Sequence, residues 1–237
     1  YNRVAETAAQ YKIMVDSHEA VRPTGMYRTY PNWIAQESAR GTEFESFNGI
    51  RPDHQTILPF TRLMGGPMDY TPGIFEGDLS VYGSNKANCT TLVKQLALYV
   101  TMYSPLQMAA DLYQNYEKYP DAFQFIKDVA VDWDHTYILE AEPGDYITIA
   151  RKAKGKNEWF VGGITDENSR EAVIDLSFLP AGKKYQATIY ADGKSADWCT
   201  NPKEYVISTR KVNHKTKLKQ KLAPSGGVAS QSRKSDN

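Results

Sequence analysis

The sequence has few cysteines and no long apolar run. Only Cys89 and Cys199 are present among 237 residues, so a disulfide framework cannot hold the fold, and neither cysteine has the spacing of a zinc or redox motif. No apolar segment approaches the length that spans a membrane. Residues 1–10 lack the charged and apolar regions of a signal peptide, and position 1 is not methionine. We therefore expect the chain to begin inside a larger protein.

An excess of charge of either sign is also lacking. Lys plus Arg and Asp plus Glu both number 28, so the overall charge favours neither nucleic acid nor an anionic membrane as partner. The chain has 16 Tyr and 4 Trp, and such rings serve as core residues or stack against sugar rings. We expect a small neutral ligand and no nucleic-acid or membrane partner. The pattern leaves the oligomeric state open.

The first half of the chain has the pattern of an α/β fold. An amphipathic helix is predicted over residues 2–11 and a buried parallel strand over residues 12–16. Polar residues 17–19 follow directly, at the strand end where a (β/α) barrel places catalytic groups. Further helices are predicted from Thr90 to Met102, from Pro105 to Tyr116 and from Pro120 to Val129, covering the outside of the barrel.

After Trp133 the apolar residues no longer follow the helical period of the segments before it. Short strand candidates follow, separated by Gly, Asn, Asp and Lys, and predict an antiparallel β-sandwich. The residues after Ala223 are rich in Ser, Gly and Lys and predict a disordered tail. The predicted domains are residues 1–132 as an α/β domain, residues 133–223 as an all-β sandwich and residues 224–237 as the tail.

Four glutamates lie close together in the first half of the chain. They are Glu19, Glu37, Glu43 and Glu45, and His18 precedes the first of them. Glycosidic bond hydrolysis needs one protonated carboxyl and one ionised carboxylate, which such a cluster can supply. The alternative is that these are solvated loop charges paired with nearby arginines.

Several long motifs resemble those of glycoside hydrolase family 97. They are DSHEAVRPTG at positions 16–25, RTYPN at 28–32, ESARGTEF at 37–44, LPFTR at 58–62 and GPMDYTPG at 66–73. The resemblance implies the last part of a (β/α)8 TIM barrel followed by an antiparallel β-sandwich. It also implies a hydrolase of α-glycosides, and the 37–44 motif resembles the inverting α-glucosidase branch that acts on malto-oligosaccharides.

The resemblance also implies roles for single residues. Glu43 matches the general acid, and Glu19 matches a glutamate that is both general base and calcium ligand. Glu37 matches a second calcium ligand, and His18 a histidine that contacts sugar hydroxyls. Calcium takes several oxygen ligands, so the carboxylates of separate loops can share one ion. A general acid needs a raised pKa, so we expect a dry setting for Glu43, provided by neighbours such as Phe44.

Two alternatives stay open. The same family includes retaining α-galactosidases, whose nucleophile would lie before position 1. The chain could also be a non-catalytic fragment or a carbohydrate-binding module, and we expect the isolated segment to be inactive. The resemblance further implies a periplasmic location.

Overall fold

The computed structural model describes residues 1–47, 49–83 and 87–235. Within these ranges the helices are α1 (Asn2–Gln10), α2 (Met26–Thr29), α3 (Phe44–Phe47), α4 (Pro52–Ile57), α5 (Leu92–Thr101), α6 (Tyr113–Tyr116) and α7 (Pro120–Asp128). The strands are β1 (Val15–Ser17), β2 (Trp33–Gln36), β3 (Trp133–Glu142), β4 (Tyr146–Ala153), β5 (Glu158–Thr165), β6 (Arg170–Asp175), β7 (Tyr185–Asp192), β8 (Tyr205–Val212), β9 (Lys217–Leu222) and β10 (Gly227–Lys234).

The chain starts with a helix and a short parallel strand pair. α1 lies where the helix was predicted, and β1 pairs with β2 in parallel, with Ser17 opposite Gln36. The predicted strand over residues 12–16 starts too early, since β1 begins at Val15 and Ile13 and Met14 are 56% and 70% exposed. Lys12 has a φ of 57°, which interrupts extended backbone before the strand.

Two of the three predicted helices after residue 90 are confirmed. α5 begins after Thr91, whose hydroxyl accepts a hydrogen bond from the backbone N–H of Lys94 at 3.1 Å. α7 begins at Pro120, where a missing N–H costs nothing. The helix predicted from Pro105 to Tyr116 is wrong, because α6 covers only its last four residues.

Tertiary hydrogen bonds replace the missing turns of that third helix. The Tyr99 hydroxyl donates to the carbonyl of Met108 at 2.7 Å. The N–H of Ala110 donates to the carbonyl of Pro72 at 3.2 Å. Because its backbone groups are satisfied from outside, the segment needs no helical bonds of its own.

A six-stranded antiparallel sheet dominates the second half, in the order β3-β4-β5-β10-β7-β8. The predicted disordered tail is wrong, because β10 pairs with β5 on one side and β7 on the other. Residues 227–232 are all buried. Small side chains give this strand little hydrophobic signal, and its burial comes from the strands on both sides. Residues 236–237 of the predicted tail lie outside the described ranges.

Both faces of the large sheet are covered. On one face α5 lies so close that a Cβ added at Gly162 would come 2.6 Å from the carbonyl oxygen of Ala97. The two-stranded antiparallel sheet β6-β9 covers the other face, and a core that includes Ile174, Leu218 and Ile189 joins the two sheets. The predicted all-β, antiparallel character of this half is confirmed. α5 packs on β5 and β10 of this sheet, and that it also covers a barrel stays a prediction.

The domain boundary at residues 132 and 133 stays a prediction. β3 begins at Trp133, yet one hydrophobic core contains Leu96 of α5 together with Phe160 of β5 and Met68 from the loops before residue 132. One parallel strand pair is also too little to define a (β/α)8 barrel. Among the described residues, every helix is too short or too polar to span a membrane.

Candidate functional site

The parallel pair β1-β2 places two predicted site loops side by side. His18 and Glu19 follow β1, and Glu37 follows β2. The N–H of Glu37 donates to the carbonyl of Ser17 at 2.8 Å, extending the pairing past the strand ends. Residues 18 apart in sequence therefore meet at one edge, the carboxyl edge where parallel α/β folds carry function.

Three of the predicted site residues lie together. Among the described residues, ligand atoms of His18, Glu37 and Glu43 lie within 4.8 Å of one another. Glu37 is 2% exposed, whereas His18 and Glu43 are open to solvent. The site therefore has a buried carboxylate at its base and two accessible groups above it.

The Glu37 carboxylate is held at both oxygens by backbone N–H groups. Oε1 accepts from Gly41 at 3.0 Å and Oε2 accepts from Glu19 at 3.3 Å. A Cβ added at Gly41 would lie 2.9 Å from that Oε1 and 3.2 Å from the carbonyl oxygen of Tyr70. Gly41 therefore allows the loop to approach the carboxylate, which is fixed before any ligand arrives.

Glu19 reaches the site through its backbone. Its φ is 47°, a conformation that non-glycine residues seldom adopt and that clusters at functional sites. Its side chain is exposed and lies outside the His18, Glu37 and Glu43 group. Its assignment as general base and metal ligand stays a prediction.

His18 is oriented by a carboxylate that the sequence analysis did not place in the site. Nε2 of His18 lies 2.9 Å from Oδ2 of Asp69, and Nδ1 lies 3.8 Å from Oε2 of Glu37. Partial burial lowers the pKa of His18, but the bond to Asp69 and the neighbouring carboxylates outweigh it and raise the pKa above its usual value. Asp69 is buried and also accepts from the N–H of Thr71 at 3.0 Å. Asp69 lies in the motif at positions 66–73, and this position was the signal in the sequence that could have assigned it to the site.

Asp16 is a second missed carboxylate. Both of its oxygens are buried without a hydrogen-bond partner among the described residues. Burial and the charge of Asp69 raise the pKa of Asp16 to about 6. Asp16 is therefore a buried neighbour of Asp69, the carboxylate that orients His18. Its place at the start of the motif at positions 16–25 was the signal for it.

Arg62 joins two of the site loops. It donates to the carbonyls of Gln36 at 2.6 Å and Glu37 at 2.8 Å. It also donates to the carbonyls of Gly66 and Pro67. Burial lowers its pKa to about 10. The guanidinium thus ties the end of β2 to the loop that carries Asp69.

The dry setting expected for Glu43 belongs instead to Glu45. Glu43 is exposed, while Glu45 is 1% exposed. Burial raises the pKa of Glu45 to about 7. Glu43 directly precedes the short helix α3, whereas Glu45 lies within it and is buried.

The carboxylates of this site can supply some of the ligands of a hard cation such as calcium. Glu37 and Glu43 offer two carboxylates, and both oxygens of buried Glu37 are already fixed by backbone N–H groups. Calcium takes six to eight oxygens in general, and the imidazole of His18 is not an oxygen ligand. Glu37 and Glu43 therefore fit as part of such a shell, with the remaining oxygens supplied by water or other protein groups.

Two family models match the chain. The model described as "Glycosyl-hydrolase 97 C-terminal, oligomerisation" matches residues 132–232. The model described as "Glycoside hydrolase 97" matches residues 1–39. The second match contains the loop with His18 and Glu19 and also Glu37.

Solved and curated relatives agree with these matches. A glycoside hydrolase family 97 enzyme from Pseudoalteromonas sp. strain K8, solved with acarbose, is 47% identical with a TM-score of 0.94, over 99% of this chain and 37% of that one. A variant of an enzyme from the same strain was solved with panose. A retaining alpha-galactosidase from Bacteroides thetaiotaomicron is 37% identical over 234 residues, 96% of this chain and 35% of its own length. A probable retaining alpha-galactosidase from Streptomyces bingchenggensis is 31% identical over 176 residues, 74% of this chain and 26% of its own length.

The chain thus spans between a quarter and two fifths of the length of these relatives. The two family models cover the loop after β1, the end of β2 with Glu37, and most of the large sheet. On these matches, the chain belongs to glycoside hydrolase family 97.

Proposed function

We propose that this chain is part of an α-glycoside hydrolase and carries its general acid, Glu43. The supporting observation is the convergence of His18, Glu37 and Glu43, whose ligand atoms lie within 4.8 Å of one another. Residues 1–132 would form the last part of a (β/α)8 barrel, whose catalytic groups lie at the carboxyl ends of its strands. The site lies at such an end.

In the proposed mechanism Glu43 donates a proton to the leaving glycosidic oxygen. Glu19 acts as general base, taking a proton from a water that attacks the opposite face of the sugar and inverts its configuration. His18, held by Asp69, binds a sugar hydroxyl. Glu37 would hold a cation at the base of the site.

Glu37 and Glu19 would hold calcium once the exposed Glu19 side chain turns toward Glu37, and the ion would bind sugar hydroxyls there. Glu43, whose carboxylate also lies near Glu37, is left free of the ion as the acid. Glu37 supports this assignment because its two oxygens are already fixed by backbone N–H groups. Glu43 is exposed in this structure, so a bound sugar or other protein groups must exclude water from it for proton donation.

The proposed substrate is an α-linked glucoside of the malto-oligosaccharide type. Panose is a glucose trisaccharide, and the Pseudoalteromonas relative whose variant binds it is 47% identical to this chain. A retaining α-galactosidase is the second candidate, because the Bacteroides relative with that name is 37% identical over nearly the same residues. Periplasmic location stays a prediction from the family resemblance.

Hydrolysis of p-nitrophenyl α-glucoside and α-galactoside tests the proposal. The enzyme is this chain joined to the part of the Pseudoalteromonas relative that it does not match, with this chain alone assayed in parallel. We expect calcium-dependent cleavage of the glucoside by the joined protein, loss of activity in Glu43→Gln and release of the inverted anomer, followed by NMR. Glu171→Gln, an exposed carboxylate on β6, is the matched control.

The other outcomes are equally informative. A second joined protein, whose remaining part comes from the Bacteroides relative, tests the retaining branch. Galactoside cleavage by this joined protein and no glucoside cleavage by the first would favour that branch, because the chain would then complete an α-galactosidase and not an α-glucosidase. A folded joined protein that cleaves neither substrate would overturn the enzymatic proposal and favour a carbohydrate-binding module.

A further inference from the structure

A buried polar network lies directly behind the loop that carries Glu43. Its members are Glu45, Cys89, Lys94 and Ser225, which are 1%, 5%, 0% and 0% exposed. Two of them are ionisable groups of opposite charge, and ions are seldom buried this completely without paired partners. None of the four belongs to the site described above.

Glu45 attaches the loop to the segment before α5. The Cys89 Sγ lies 3.4 and 3.5 Å from the two carboxylate oxygens of Glu45. The same thiol donates to the carbonyl of Ile50. Cys89 therefore contacts the loop at two points, on either side of residues 46–49.

Lys94 attaches the same loop to the large sheet. Its Nζ donates to the carbonyl of Pro52 at 3.3 Å, the carbonyl of Thr165 at 2.8 Å and the hydroxyl of Ser225 at 3.0 Å. The Ser225 hydroxyl donates in turn to the carbonyl of Cys89. One ammonium thus joins α4, the end of β5 and the turn before β10.

The network encloses the segment that follows Glu43. Backbone bonds within it are local, from Glu45 N–H to Thr42 at 3.0 Å and from Gly49 N–H to Phe44 at 2.9 Å. On the other side of Glu43, the N–H of Thr42 donates to the carbonyl of Tyr70 at 3.0 Å, so Glu45, Cys89 and Lys94 carry the attachment on the side that follows Glu43. Because the carbonyl of Glu43 accepts from the N–H of Ser46 at 3.0 Å, a displacement of Glu45 would also displace Glu43.

We propose that Glu45 and Lys94 are positioning residues that hold Glu43 in place for proton donation. Proton transfer requires the acid within hydrogen-bond reach of the leaving oxygen, and a shift of about 1 Å can lower a rate about a hundredfold. Through Thr165 and Ser225, the β-sheet half takes part in placing the acid. This inference rests on the proposed function, because it needs Glu43 to be the acid.

The test compares two leaving groups in the joined protein described above. Maltose has a sugar leaving group that requires protonation, whereas α-glucosyl fluoride requires almost none. The corresponding galactosides, melibiose and α-galactosyl fluoride, are assayed in parallel. Glu43→Gln sets the reference, since loss of the acid lowers kcat/KM on the disaccharide far more than on the fluoride. Glu45→Gln and Lys94→Met test the network.

Glu171→Gln and Lys219→Met are the matched controls, because these two residues form an exposed ion pair on the β6-β9 sheet. We expect Glu45→Gln and Lys94→Met to lose at least tenfold more activity on the disaccharide than on the fluoride, as Glu43→Gln does. The controls should change neither rate. If Lys94→Met does not fold, Cys89→Ser replaces it as the milder change.

Equal losses on both substrates would overturn the inference, because a merely structural defect removes active protein without regard to the leaving group. A folded joined protein that hydrolyses none of the four substrates would instead overturn the proposed function. Amide hydrogen exchange in this chain then tests whether the network holds the loop that follows Glu43. Faster exchange at Glu45 and Gly49 in the Glu45→Gln and Lys94→Met variants would support this role, and unchanged exchange would contradict it.

Discussion

Nε2 of His18 lies 2.9 Å from Oδ2 of buried Asp69, which makes an aspartate 51 residues away the group that orients the histidine at the site. His18 follows β1, and Asp69 lies in a loop tied to the end of β2 by Arg62. The pair therefore connects two loops that local sequence does not join. Asp69 is the main restraint on the ring, because the second contact, from Nδ1 of His18 to Oε2 of Glu37, is longer at 3.8 Å.

Replacing Asp69 with Asn is expected to lower kcat/KM of the joined protein at least tenfold. The amide keeps the size of the side chain but loses the charge that holds the His18 ring. Asp132→Asn is the control, since that carboxylate is 58% exposed. The melting temperature should stay close to that of the parent. Parent-like kinetics in Asp69→Asn would show that His18 needs no orienting carboxylate.

Gly41→Ala is expected to displace the Glu37 carboxylate. The new Cβ would lie 2.9 Å from Oε1 of Glu37 and 3.2 Å from the carbonyl oxygen of Tyr70, so the carboxylate must move. We expect roughly a ten- to hundredfold fall in kcat/KM, as for other small displacements in a site. Gly77→Ala is the control, because its nearest neighbour would be 4.0 Å away. Equal activity of the two variants would contradict the close approach.

Calcium is expected to stabilise the protein through Glu37. At a free calcium concentration about 100 times the Kd, binding to the folded state alone adds about 2.7 kcal/mol to the free energy of unfolding. Glu37→Gln should lose this gain, while exposed Glu171→Gln should keep it. Urea unfolding with calcium, with magnesium and with chelator measures the effect. Undiminished stabilisation of Glu37→Gln would exclude Glu37 as a ligand.

Asp192 is expected to make stability depend on pH. Burial raises its pKa from 3.8 to about 6, although its Oδ2 accepts from the N–H groups of Ala223 and Gly227. Because the folded-state pKa lies above the unfolded-state one, the stabilisation is complete below about pH 4 and is lost as the pH rises through 6.

The Asp192→Asn variant isolates this effect. The free energy of unfolding of the parent, relative to the variant, should fall by about 2.4 kcal/mol between pH 4 and pH 7, since one pKa unit corresponds to about 1.4 kcal/mol and part of the full effect is already lost at pH 4. Urea unfolding over this range measures the difference. A difference that does not change with pH would mean that Asp192 titrates normally in the folded protein.

Val228→Asp is expected to prevent folding. Val228 is 0% exposed in the middle of the large sheet, and an unpaired buried carboxylate costs several kcal/mol. Val206→Asp is the matched control, because Val206 on β8 is 55% exposed. Soluble yield and circular dichroism compare the two. A folded Val228→Asp variant would restore the view that the last segment is a dispensable tail.

The local sequence pattern was enough to predict two helices and part of the candidate site. The period of apolar residues predicted α5 and α7, and the motifs predicted that Glu37 and Glu43 belong to one site. Such features depend on neighbouring positions in the chain, so a single sequence can reveal them. The motif at positions 16–25 also contained Asp16, but nothing in it distinguished a buried carboxylate from a solvated one.

Only the tertiary structure decided the burial of single residues. β10 consists largely of small and polar side chains, yet it lies at the centre of the sheet because β5 and β7 flank it. Glu45 is buried and Glu43 exposed because Cys89, 44 residues away from Glu45, contacts the former. Burial depends on which distant elements pack together, and helical or strand periodicity does not contain that information.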